Sequence, residues 1–273
     1  MTEARQAAGR RDGAEQNRRV PGTPSWVSLM THGMTATQEF YRRLFGWEFQ
    51  PGPQQLGPYA RALLDGREVA GVGQVPAGRR LPVAWTPYLA SDSADTTAAT
   101  VRQCGGTVAV GPLDAADAGR MALASDPGGA VFGIWQGAAM KGYAVTGVPG
   151  APVWHELITR DTASVTTFYQ YVFGFTTRPA DPAGTAADGG ADRLTLLLDG
   201  RPVAGVRGVG AALPAERGAH WLTYFAVADP DESVRRAVDL GGQLLAPPAD
   251  GPLGRSATVA DPEGAVFALL HRD

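Results

Sequence analysis

Residues 124–135 read ASDPGGAVFGIW, and residues 259–270 read VADPEGAVFALL. A chain that writes Asp-Pro-x-Gly-Ala-Val-Phe twice, 261 − 126 = 135 residues apart, carries a duplicated structural unit. Other segments repeat in the same order. FYRRLFGWEF (40–49) answers to FYQYVFGFTT (168–177) at an offset of 128, LLDGREVAGV (63–72) to LLDGRPVAGV (197–206) at 134, and WTPYLASD (85–92) to WLTYFAVAD (221–229) at 136. The offset grows chiefly between the Phe-Tyr segment and the Asp-Gly turn. There the second copy inserts RPADPAGTAADGGADR (178–193), whose Gly, Pro and Asp content marks a surface loop. The Gly-rich stretch QGAAMKGYAVTGVPGAP (136–152) separates the copies and reads as a linker. The expected division is a disordered tail over 1–21, a first domain over 22–138, a linker over 139–150 and a second domain over 151–273.

Each copy has the same local pattern. A strand (SWVSLMT; VWHELIT) precedes a helix in which apolar residues recur at helical spacing, Phe40, Tyr41, Leu44 and Phe45 in the first copy, with Gly46 as a stop. Asp-Gly between two apolar runs in LLDGREVAGV signals a tight hairpin. A further strand follows, then a helix ending at Gly-Gly, then two last strands. Strand–helix–strands, twice over, predicts an α+β fold with antiparallel sheets.

Composition narrows the function. The chain has 273 residues, 44% of them hydrophobic, and a net charge of −3, so it lacks the basic field that nucleic acid or an anionic membrane attracts. One cysteine, Cys104, excludes an internal disulfide and a thiolate metal cluster and agrees with a reducing cytoplasm. The Arg-rich first twenty residues lack the apolar stretch of a signal peptide.

The Phe-Tyr helix after a first strand, the Asp–helix–Gly-Gly unit and the SDPGGAVFGIW and ADPEGAVFALL ends together resemble the vicinal oxygen chelate superfamily, the glyoxalase and bleomycin-resistance fold. The resemblance covers about 250 residues and implies two glyoxalase-like domains, each of two βαβββ modules curled into a half-open antiparallel cup with helices outside. It also implies a ligand in the concave face and, in many members, a divalent metal held by His, Gln or Glu. The matching positions here are Trp26, Thr86 and Gly133 in the first copy and Trp154, Leu222 and Ala268 in the second. These side chains cannot supply three N or O donors, so neither a metal nor another cofactor is expected.

Strand alternation on that alignment turns Trp26, Ser28, Met30, Thr86, Tyr88, Val131, Gly133 and Trp135 into the first cup. Small residues at Ser28 and Gly133 would leave room for a ligand among aromatic walls. The second cup would present Trp154, Glu156, Ile158, His220, Leu222, Tyr224 and Ala268. Glu156 among apolar neighbours would have a raised pKa and serve as a general acid or base with His220 and Tyr224, while His155 would face the other way. Turn formation accounts for Asp126 and Asp261; His32 reads as a turn or capping residue, His271 as exposed and Cys104 as packing.

The function these features imply is a metal-independent, hydroxylase- or cyclase-type enzyme of secondary metabolism, acting on a hydrophobic, polycyclic or polyketide-like molecule. A non-catalytic binding or sequestering protein of the resistance type is the alternative, and a metal-dependent glyoxalase or dioxygenase the weaker one. The expected partners are a hydrophobic or aromatic small molecule and, as monomer or homodimer, a second copy of the chain, with no nucleic acid and no membrane.

Overall fold

A computed structural model describes residues 19–54, 57–79, 81–180, 192–214 and 217–272. The tail expected over 1–21 falls almost wholly outside the described residues, as does most of the insert over 178–193. Four βαβββ modules follow one another. The first is β1 (Pro24–Thr31), α1 (Met34–Phe45), β2 (Glu48–Pro51), β3 (Tyr59–Leu64) and β4 (Arg67–Gln74). The second is β5 (Trp85–Ala90), α2 (Ala94–Gln103), β6 (Thr107–Ala115), β7 (Gly119–Ser125) and β8 (Val131–Gly137). The third is β9 (Pro152–Thr159), α3 (Thr162–Phe173), β10 (Thr176–Pro179), β11 (Asp192–Leu198) and β12 (Arg201–Gly208). The fourth is β13 (His220–Ala226), α4 (Pro230–Asp239), β14 (Gln243–Gly251), β15 (Gly254–Ala260) and β16 (Val266–His271).

Modules pair into two eight-stranded sheets, ordered β2-β3-β4-β1-β5-β8-β7-β6 and β10-β11-β12-β9-β13-β16-β15-β14. The sheets are mixed, which corrects the antiparallel expectation: β1 runs parallel to β4, β5 to β8, β9 to β12 and β13 to β16. The cause is connectivity. A helical crossover returns the chain to the starting end, and two reversals then bring the fourth strand back in the direction of the first. Gly46 and Gly174 end α1 and α3 in left-handed geometry, which costs a glycine no Cβ clash.

The two halves share their cores. Phe40, Tyr41, Leu44 and Phe45 of α1 pack with Phe225, Val234, Ala237, Phe267 and Leu269 of the fourth module. Val165, Phe168, Tyr169 and Phe173 of α3 pack with Leu89, Ala98, Val101, Phe132 and Ile134 of the second. Polar relays cross at the same places. Trp85 Nε1 donates to Tyr41 OH, which donates to Asp261 Oδ2 at 3.0 Å; Trp221 Nε1 donates to Tyr169 OH, which donates to Asp126 Oδ2 at 3.3 Å. Asp126 and Asp261 therefore do more than form their turns. The second oxygen of each ties one half of the chain to the other, and this is why the Asp-Pro segment is written twice.

Candidate functional site: two unlike cups

The helix-free face of each sheet is concave, and register fixes which residues meet there. In the first sheet Ser28 lies opposite Gly71 and Thr86, and Gly71 opposite Arg61. The next row holds Met30, Gly73 and Tyr59. Tyr59 lies flat across this surface: a Cβ on Gly71 would stand 1.7 Å from its hydroxyl, so glycine there is a condition of the arrangement. The phenol accepts from Trp26 Nε1 at 2.9 Å and shares a hydrogen bond with Ser28 Oγ at 2.7 Å. Burial pushes the Tyr59 pKa up, so its proton stays on.

Around these residues lies a cavity of about 350 Å3. Its wall includes Trp26, Met30, Tyr59, Tyr88, Met121 and Trp135, with Ser28, Leu123, Met140 and Arg61 among the other lining residues. Trp26, Ser28, Met30, Tyr88 and Trp135 thus meet in one cavity as their alternation predicts. Thr86 is half-buried and stands outside the lining. Space at Gly133 is not left to a ligand, because the Tyr88 ring fills it: a Cβ there would meet Tyr88 Cδ1 at 2.0 Å.

The second cup has the same plan and opposite chemistry. Glu156 lies opposite Gly205 and Leu222, Gly205 opposite Thr195, and Thr195 opposite Arg178. The next row is His220, Ile158, Arg207 and Arg193. Glu156 is only 3% exposed, and its surroundings are not the apolar ones expected. It accepts from Arg193 Nη1 at 2.7 Å and from Tyr224 OH at 2.8 Å, and pairs with Arg207 Nε at 3.4 Å. The premise for general-acid work, a carboxyl in an apolar wall, fails. Two guanidinium groups directly opposite one another on neighbouring strands would repel, and Glu156 sits between them as their counter-ion.

His220 does not join Glu156. Its Nδ1 faces the Gly218 carbonyl at 2.9 Å, and burial, outweighing that bond, lowers its pKa with help from Arg217 and Arg207. Ile158, Leu222, Tyr224, Ala268 and Leu270 pack on one another in a small apolar cluster, so the floor of this cup is filled by its own side chains. What stays open is a cavity of about 440 Å3 toward β10 and β11, lined by Trp154, Glu156, Arg178, Arg193, Leu194 and Thr195 among others. His155 does point the other way, into the buried layer between the halves, against Tyr143 and Thr223.

Sequence reasoning missed Tyr59, Arg61, Arg178, Arg193 and Arg207. The hairpin offset of 134 held the signal: it maps Tyr59 onto Arg193 and Gly73 onto Arg207. One duplicated position thus reaches inward in both copies, as a phenol onto Ser28 and as a guanidinium onto Glu156.

The residues do not fit a divalent metal. Register places Tyr88, not Thr86, in the row with Trp26 and Gly133, and Tyr224, not Leu222, in the row with Trp154 and Ala268. Neither row offers a His or a carboxylate, and among the described residues no three His, Cys, Asp or Glu side chains converge. None of the described helices is long and apolar enough to cross a membrane.

Residues 154–270 match the glyoxalase-like domain family. The chain is 37% identical over 269 residues to the anthracycline biosynthesis protein DauV of Streptomyces sp. (strain C5), covering 92% of this chain and 94% of that protein. Among solved structures, the 2,3-dioxygenase LapB of Pseudomonas sp. KL28 superposes with a TM-score of 0.60 at 14% identity, covering 93% of this chain and 94% of that one. The Mn(II)-bound glyoxalase of Novosphingobium aromaticivorans does so with a TM-score of 0.61 at 16% identity, covering 92% and 82%. At those identities the structural likeness is one of fold. The similarity to DauV along nearly the whole chain goes further: this protein belongs to the glyoxalase-like, vicinal oxygen chelate family, as one of its tandem two-domain members.

Proposed function

We propose that this protein serves the biosynthesis of a polycyclic, aromatic-polyketide-like secondary metabolite and holds that molecule in its first cup. The observation that carries the reading is the cavity of about 350 Å3 walled by two tryptophans, two tyrosines and three methionines. A flat ring system meets such walls through offset stacking and dispersion, and the thioethers of Met30, Met121 and Met140 adapt to its outline. The inner polar groups, Trp26, Ser28 and Tyr59, already bond to one another, so they make few directional demands on a ligand. The name of DauV, which ties that relative to anthracycline biosynthesis, supports the same ligand class.

The test is a fluorescence titration with an anthracycline. Saturable one-site binding is expected, weakened about tenfold or more by Trp135→Ala through lost stacking and burial, and unchanged by Trp154→Ala in the second cup. Absence of saturable binding, or equal affinity in Trp135→Ala, overturns the reading.

One observation favours a second reading, in which the protein is a metal-independent enzyme of hydroxylase or cyclase type. Tyr224 OH donates to Glu156 Oε2 at 2.8 Å, and Glu156 lines the second cavity, so in this reading the reacting molecule enters the second cup rather than the first and the ion-paired carboxylate serves it as a base. Glu156→Gln then abolishes turnover while leaving affinity for the metabolite within a few-fold. Unchanged turnover in that variant removes Glu156 from the chemistry.

A further inference from the structure

Trp26, Ser28, Tyr59 and Tyr88 all line the cavity of the first cup, and each brings one hydrogen that a side-chain N–H or O–H can donate. An indole N–H only donates, so Trp26 fixes one end of the set: its hydrogen goes to the Tyr59 oxygen at 2.9 Å. Tyr59 and Ser28 share one hydrogen bond, at 2.7 Å. Tyr88 stands opposite Trp26 on the neighbouring strand, beside the row of Ser28. Its hydroxyl feels both neighbours: burial, the largest effect, and the Tyr59 phenol raise its pKa, while Ser28 lowers it as a hydrogen-bond partner. Three hydroxyl hydrogens are thus joined by at most two contacts, so at least one is left over. Among the described residues no further group accepts from these three hydroxyls. Arg61, the charged residue in the lining, is itself a donor and is engaged by Glu68.

We propose that the Tyr88 hydroxyl donates to a carbonyl oxygen at the edge of the ligand, and that the first cup thereby selects flat ring systems bearing a quinone or aryl-ketone oxygen over the bare hydrocarbon frame. The proposal deepens the function given above for this cup and rests on it. Direction follows from Trp26. Each hydroxyl that accepts a hydrogen bond becomes the better donor, so the chain polarises from Trp26 through Tyr59 and Ser28 to its far end at Tyr88. The donor is also held in place before a ligand arrives. The Tyr88 ring fills the space over Gly133, where a Cβ would meet its Cδ1 at 2.0 Å, and the residue keeps 8% of its surface exposed. The walls decide the class of acceptor. An anion would need a counter-charge that Arg61, paired with Glu68, does not offer, and without one its burial among tryptophans and methionines costs more than a neutral hydrogen bond returns. A neutral carbonyl in the plane of the rings meets the donor edge-on and leaves the ring faces to the aromatic walls. A ligand with no acceptor displaces water and leaves the hydrogen unsatisfied, and that asymmetry is the source of the selection. Tyr88 is in this sense a specificity-determining residue.

The experiment compares fluorenone with fluorene, one tricyclic frame with and without a carbonyl, by equilibrium dialysis against the full chain. Tyr88→Phe keeps the ring over Gly133 and removes only the hydroxyl. The ratio of fluorenone to fluorene affinity is expected to fall about fivefold or more in this variant, the loss of one neutral hydrogen bond, with fluorene affinity itself changed less than about twofold. Taking the ratio removes any general effect of the substitution on the cup. Trp135→Ala weakens both compounds alike and leaves their ratio unchanged, which places them in the first cup. Infrared spectra supply a second readout: the carbonyl stretch of bound fluorenone lies lower in wild type than in Tyr88→Phe, as a hydrogen bond to the oxygen requires. Melting curves establish that each variant is folded before it is dialysed. With both compounds bound, a ratio in Tyr88→Phe within about twofold of wild type, or a carbonyl stretch identical in the two proteins, overturns the proposal and leaves the aromatic cup standing. Failure of both compounds to bind the wild-type chain overturns the reading of the cup and this proposal together.

Discussion

Acid should loosen this protein through one residue, His155. Its ring is 4% exposed, with Nε2 at 3.0 Å from Tyr143 OH and Nδ1 at 3.1 Å from Thr223 Oγ1. Both partners are hydroxyls that can donate or accept, so hydrogen bonding alone does not forbid a second proton on the ring. Burial does: it lowers the pKa from 6.5 to about 3. The folded value lies below the unfolded one, so the stability His155 contributes is fully present above pH 6.5 and is lost as pH falls toward 3. Linkage puts the loss at about 2 kcal/mol by pH 5 and about 3 kcal/mol by pH 4. For a chain of this length, 2 kcal/mol is roughly 4–8 °C in melting temperature.

Asp126 and Asp261 work against this slope. Burial raises both their pKa values, so they favour the fold in acid and withdraw that support as pH rises through their folded values. The assay is therefore a comparison. Urea unfolding of wild type and His155→Gln is followed at pH 7, 5 and 4, and the difference between the two proteins isolates the histidine. Wild type should lose about 2 kcal/mol more than the variant between pH 7 and pH 5. Parallel pH profiles would falsify the assignment of a buried, neutral His155.

The same structure makes two further predictions about stability. Tyr41→Phe leaves Trp85 Nε1 without its acceptor and removes a donor from buried Asp261, and Tyr169→Phe does the same to Trp221 and Asp126. Each should cost about 1–3 kcal/mol in chemical denaturation, and losses under about 0.5 kcal/mol in both would show that the relays do not hold the halves together. Gly133→Ala drives a methyl into the Tyr88 ring and should destabilise by about 1–3 kcal/mol, with most of that cost gone in a Tyr88→Ala background. Equal costs in both backgrounds would mean that the ring is not what fills the space.

Much of the architecture was legible in the sequence because it rests on local periodicity. The Phe-Tyr helices, the Asp-Gly hairpins and the order of the modules follow from spacing of three to four or of two along the chain. The same alternation set His155 against Glu156 on opposite faces and brought Trp26, Ser28, Met30, Tyr88 and Trp135 to one cavity. The second cup was read less well. Glu156 looked isolated because the side chains that meet it, Arg193 and Arg207, lie on strands about forty and fifty residues away in sequence.

What the chain determined by itself is its duplication and its order of strands and helices, since both follow from residue identity and short-range repeat. Tertiary structure alone decided the partners. Strand β12 lies beside β9 and not beside the strand that follows it, so Arg207 arrives at Glu156. The helices pack across the halves, so Tyr41 finds Asp261 and Tyr169 finds Asp126. Charge, burial and hydrogen bonding act through space, and sheet order rather than sequence order sets which groups are close enough to feel them.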